Sequence, residues 1–183
     1  MKAFELNLDL QMIELILFRH AKTRPAGPSE DDHERALTPR GWDDAPRVAR
    51  ALWMINSSPD LILLSDARRC RETREAMQEV FDEVETEILP SLYLADAERV
   101  MRTANEAALT TRARSIMVIA HNPGLQDLAT ELAPGSAEDE VRMRFSFPTA
   151  AAACFRRSDE HDRWSLKNFF TPKSLRPGDS PTE

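Results

Sequence analysis

The sequence predicts an α/β protein, a three-layer α/β/α sandwich built on a mostly parallel central sheet. Two observations carry that expectation. Short apolar runs at residues 13–18 (IELILF), 61–64 (LILL) and 116–120 (IMVIA) are continuous rather than alternating, as befits parallel strands covered on both faces. Between them lie stretches of helical period, and strands alternating with helices build a sheet with helices on both sides. At 183 residues the chain suffices for one domain with a substantial core.

Residues 1–11 are expected to form an N-terminal extension ahead of a domain at 12–171. They carry Glu5 and Asp9 and no continuous apolar core, so they do not read as a secretory signal. The first strand, 13–18, runs into Arg19-His20. A helix is expected over 39–54, with Thr38 as N-cap and Pro39 in its first position. The second strand, 61–64, leads to Ser65-Asp66. A second helix, expected over 68–84, turns Thr73, Ala76, Met77, Val80 and Phe81 inward at i, i+3, i+4 spacing. Arg69 lies four residues before Thr73 and falls on that inner side, whereas Arg68, Arg71, Glu72, Arg74 and Glu75 are expected on the solvated side. A third helix is expected over 96–109. The third strand, 116–120, ends at His121-Asn122-Pro123, where Asn122 would cap a fourth helix running towards Pro134. Residues 150–155 and 164–169 are expected to be later strands, the first of them at a sheet edge. The Pro-rich tail, 172–183, is expected to be disordered.

Composition excludes several functions. A net charge of −7 leaves no excess of Lys and Arg for general nucleic-acid binding. Cys70 and Cys154 stand far apart, so neither a disulfide framework nor a zinc site is expected. No stretch approaches the ~20 apolar residues of a membrane span. A cytoplasmic monomer with no membrane partner is the expectation.

Ligands of such sheets bind beyond the carboxyl ends of the strands. Two of the four histidines, His20 and His121, stand at those ends. An inward Arg69 calls for a partner, because an unpaired buried charge is costly; a bound phosphate or a nearby carboxylate would each serve. His121 would sit beside a helix N-terminus, which favours an anion, although a backbone carbonyl could equally satisfy a core histidine. Together, two arginines, two histidines and a helix start suit a dianionic phosphate, and a histidine among them can act as nucleophile. Such chemistry calls for no metal or other cofactor.

The motifs, taken in order, resemble the histidine phosphatase superfamily (phosphoglycerate mutase-like), and within it the short SixA-type phosphohistidine phosphatases. "LILFRHAKT" resembles the strand with its RHG or RHA signature, and "DDHERALTPRG" the LTxRG segment. "SDARRCRET" is similar to S-x-x-x-R-x-x-x-T, "AHNPGL" to GHNPGL, and "FPTA" to PTG. Carried over by position, the resemblance makes His20 the phosphate-accepting nucleophile. Arg19, Arg69 and His121 would complete the phosphate pocket, and Thr23 would add a hydroxyl. Larger relatives insert a cap bearing an acidic residue; here the short 88–96 segment leaves no room for one. Asp32, Glu34, Asp96 and Glu98 are the acids within reach. Asp96 is better explained as an N-cap, Glu98 as a first-turn charge, and Asp32 and Glu34 as solvated loop residues. An open rim suits phosphohistidine on a phosphotransfer domain or phosphocarrier. A small phosphorylated metabolite is the alternative substrate, and a non-catalytic binding module the third reading.

Overall fold

Met12 is buried and seats the entry to the first strand. The computed structural model describes residues 12–27, 29, 31–158 and 163–176. Residues 1–11, expected to be an extension, lie outside the described residues.

The elements run β1 (Glu14–Arg19), α1 (Pro39–Met54), β2 (Leu61–Ser65), α2 (Arg68–Ala76), β3 (Glu85–Leu89), α3 (Ala97–Thr111), β4 (Ser115–Ala120), α4 (Gly124–Leu132), α5 (Glu138–Phe145), β5 (Ala152–Ser158) and β6 (Arg163–Phe170). They form one six-stranded sheet in the order β3-β2-β4-β1-β5-β6. The first four strands of that order are parallel; β5 runs antiparallel to them, and β6, antiparallel to β5, returns to their direction.

Alternation along each central strand builds two cores. Leu15, Leu17, Leu61, Leu63, Ile116 and Val118 meet α3 and α4 on one face. Ile16, Phe18, Ile62, Leu64, Met117 and Ile119 meet α1 and α2 on the other. Successive strand side chains point to opposite faces, so a continuous apolar run is what a doubly covered strand requires. The three-layer α/β/α architecture follows.

Several boundaries differ from expectation, each for a local reason. The second helix stops at Ala76 instead of Val84. Arg74, expected outside, is buried; its guanidinium donates to the Phe81 and Val84 carbonyls and to Thr86 Oγ1. Those bonds close the chain into turns and hand it to β3, a strand whose ETEIL sequence gives no apolar run. Helix α5 was likewise not expected, since EDEVRMRF buries only Met143. The sheet edges are β3 and β6, so β5 is interior rather than an edge. Of the segment expected to be a loose tail, residues 172–176 form a turn, with Ser174 bonded to Thr171 and Leu175 packed on the core; residues 177–183 lie outside the described residues. Among the described residues no helix is long and apolar enough to cross a membrane.

Candidate active site

The carboxyl ends of β1, β2 and β4 meet at a cleft of about 290 Å³ whose wall includes Arg19, His20, Thr23, Asp32, Arg69 and His121. All five residues expected there are therefore brought together.

His20 follows β1 directly, and its amide donates to the Ala120 carbonyl. Its ring is 8% exposed with the rest of the residue and Nδ1 lies 2.9 Å from the carbonyl of Ala21. A carbonyl only accepts, so Nδ1 carries the proton and Nε2 keeps its lone pair. Burial, reinforced by the charges of Arg69, Arg19 and Arg35, pushes the imidazole down to about 3. The ring is neutral at physiological pH and its free nitrogen is a competent nucleophile.

His121 follows β4, and its ring centroid stands 5.3 Å from that of His20. Arg69 Nε donates to His121 Nδ1 at 3.2 Å. The proton is thus on Nε2, which donates to Ser65 Oγ at 2.9 Å. Burial, with His20 and Arg69 beside it, holds this imidazole at about 3 as well. Helix α4 opens just beyond, although Pro123 rather than Asn122 takes its N-cap position. The Asn122 amide instead donates to Gln126 Oε1 and the Phe147 carbonyl.

Arg69 sits on the inner side of the first turn of α2, 3% exposed. Of its two possible partners the structure shows the carboxylate: Nη2 meets Asp32 Oδ2 at 3.1 Å and Nη1 donates to the Asp32 carbonyl at 2.7 Å. Arg19 donates through Nη1 to the Phe147 carbonyl at 2.7 Å, while its Nε is buried without a hydrogen-bond partner. An orphan guanidinium N–H beside a cleft suits an anion.

Asp32 is not the solvated loop residue expected from sequence. It receives Arg35 at 2.9 Å, Arg69, and the Tyr93 hydroxyl at 2.9 Å. Arg35, Tyr93 and Arg69 together hold its carboxyl down to about 2. Arg35, which also bonds Thr23 Oγ1, and Tyr93 were not singled out beforehand. The i, i+3 spacing of Asp32 and Arg35 was the available signal for the first; nothing local marked the second. The remaining acids are occupied elsewhere: Glu34 with His33, Asp96 as the N-cap of α3, and Glu98 with Arg102.

Residues 15–93, which carry β1, the Arg69 helix and Tyr93, match the model of the histidine phosphatase superfamily, branch 1. Among solved structures the chain is similar to a protein of Agrobacterium tumefaciens provisionally named phosphohistidine phosphatase SixA. That pair shares 29% identity with a TM-score of 0.75, covering 88% of this chain and 99% of the other. The protein histidine phosphatase SixA in complex with tungstate is similar at 25% identity and a TM-score of 0.72, over 90% of this chain and all of that one, 100%. An uncharacterised chloroplast protein of Arabidopsis thaliana is 35% identical over 131 residues, 67% of this chain. The match spans 60% of that relative's length.

Proposed function

We propose that the unit at residues 12–171 is a phosphatase that takes a phosphoryl group onto Nε2 of His20 and passes it to water, acting on phosphohistidine carried by a signalling or phosphocarrier protein. The single observation behind this is the His20 Nδ1–Ala21 bond, which leaves an unprotonated Nε2 in an arginine-walled cleft. In the first step the Nε2 lone pair forms the N–P bond while the bond to the leaving group breaks with its electron pair. In the second, water attacks phosphorus, Nε2 recovers its pair, and inorganic phosphate leaves. Arg19 and Arg69 neutralise the equatorial oxygens. His121 and the Thr23 hydroxyl complete the shell around them. No step needs a metal.

The preference for a protein-borne phosphohistidine rests on two further features. Only a short turn, Pro90–Leu92, separates β3 from the approach to α3, so no inserted element roofs the cleft among the described residues. Among the described residues the one acid on the wall is Asp32, which is held ionised and cannot protonate a leaving group. A phosphorylated imidazole needs least help of that kind.

The decisive experiment is a rapid acid-free quench after incubation with a radiolabelled phosphohistidine protein. Label stable to alkali and labile to acid, mapped to His20 and absent in His20→Ala, is the expected result. Active enzyme with label elsewhere would remove His20 as nucleophile. Efficient turnover of sugar phosphates with phosphohistidine left intact would replace the substrate assignment by a small-molecule phosphomonoesterase.

A further inference from the structure

A pocket meant for a dianion has reason to exclude carboxylates, yet Asp32 is placed on its wall. Its carboxylate is bonded to Arg35, Arg69 and Tyr93, and its main-chain carbonyl also receives Arg69. The side chain is nevertheless 47% exposed and lines the cleft. A carboxylate offers about four lone-pair positions, and three donors among the described residues occupy it, which leaves a position for a group entering from outside. That group cannot be another anion, which the carboxylate repels. It has to bring an N–H or a positive charge.

We propose that Asp32 is the specificity-determining residue of the cleft: its carboxylate accepts the ring N–H of a phosphorylated imidazole and thereby selects N-phosphorylated substrates over phosphate monoesters. The inference rests on His20 being the nucleophile. The atoms balance without an acid. The substrate is bound as the ring-protonated imidazolium form, the one whose second nitrogen carries an N–H for Asp32; as the His20 N–P bond forms, the substrate's N–P bond breaks and its electron pair returns to the nitrogen that bore phosphorus. The proton on the second ring nitrogen, held by Asp32, stays where it is, and a neutral imidazole departs. A monoester leaves as an alkoxide, which needs a proton Asp32 does not have and develops negative charge beside it. The same residue therefore favours one leaving group and opposes the other. Its low ionisation, at about 2, agrees with a permanent acceptor.

The test compares kcat/KM for phosphohistidine and for p-nitrophenyl phosphate in the wild type, Asp32→Asn and Asp32→Ala. Both variants are expected to lower the phosphohistidine value by about tenfold to a hundredfold, the scale of a lost charge-assisted hydrogen bond. The ratio of the phosphohistidine value to the p-nitrophenyl phosphate value should fall by about tenfold or more, because the latter's leaving group needs no acid and loses an anionic neighbour. A purely structural role moves both substrates down together, and that outcome overturns the proposal. So does a parallel rise, which would make Asp32 a mere obstruction to anions. Labelled His20 with an unchanged substrate ratio sinks this inference alone, whereas absence of label on His20 in active wild-type enzyme sinks the nucleophile assignment beneath it.

Discussion

The amide of Ala21 donates to the hydroxyl of Thr73 at 2.9 Å, joining the end of β1 to the middle of α2 across 52 residues. Thr73 Oγ1 donates in turn to the Arg69 carbonyl at 2.6 Å, and the Ala21 carbonyl accepts from His20 Nδ1. One hydroxyl thus sets the peptide that orients the nucleophile. Thr73→Val keeps the shape and strands a buried N–H, at a cost of about 1–3 kcal/mol. A fall in kcat of about tenfold, with KM little changed, is expected from the loosened imidazole. Thr73→Ser should restore most of it; steady-state kinetics on the three proteins checks this.

Two histidines held near 3 make stability depend on pH with a definite sign. In the unfolded chain both titrate near 6.5, so below that pH the unfolded state binds protons that the folded state refuses. Stability is full above 6.5 and is lost as pH falls towards 3. Between pH 7 and 5 the loss is about 2 kcal/mol for each histidine. Urea unfolding at the two pH values should show it, and His20→Asn should roughly halve the difference. An equal slope in that variant would contradict a buried neutral His20.

At the opposite end of β1, Glu14 is buried and accepts from Ser57 Oγ and Ser115 Oγ, each at 2.8 Å. Glu14→Ala leaves two hydroxyls unpaired and should cost about 2–4 kcal/mol. Below its lowered melting temperature the variant should keep wild-type kcat/KM, since the knot lies a strand's length from the cleft. Denaturation and kinetics measured side by side separate the two effects.

A Cβ on Gly124 would overlap the backbone carbonyl of Ala95, so α4 can start where it does only with glycine there. Gly124→Ala should push the helix start away from the β3–α3 connection, at a cost of about 1–3 kcal/mol. His121, three residues earlier, should shift with it and lower kcat. Thermal melts and turnover on the same preparation test both halves.

What could be read from sequence was whatever a short window determines. The runs at 13–18, 61–64 and 116–120 are apolar because both faces are covered, and Thr38 and Asp96 do cap their helices. Strand β3 stayed hidden because an edge strand with Glu85 and Glu87 has one covered flank at most and shows no run. Arg74 and Asp32 were misplaced for a shared reason. Each charge is satisfied by groups from other segments, Val84 and Thr86 for the first, Arg69 and Tyr93 for the second. Periodicity reports which side a residue faces, and not what waits for it there. Tyr93, sixty-one positions from Asp32, carried no local mark at all.

The spacing of the two histidines has a different origin from the rest of the cleft. Arg19 pairs with Ala120 in the parallel register of β1 and β4, and each histidine is the very next residue. Their separation is therefore inherited from the interstrand repeat of about 4.8 Å and not from any loop. Such a distance cannot drift by small steps; altering it would require slipping a whole strand by one residue, which turns every core side chain on it to the wrong face. Asp32, which meets the leaving group, and Tyr93, which holds it, belong to connecting segments under no such lattice rule. Reaction centre and substrate choice are thus mounted on parts of unequal rigidity, one quantised by the sheet and the other free to be retuned.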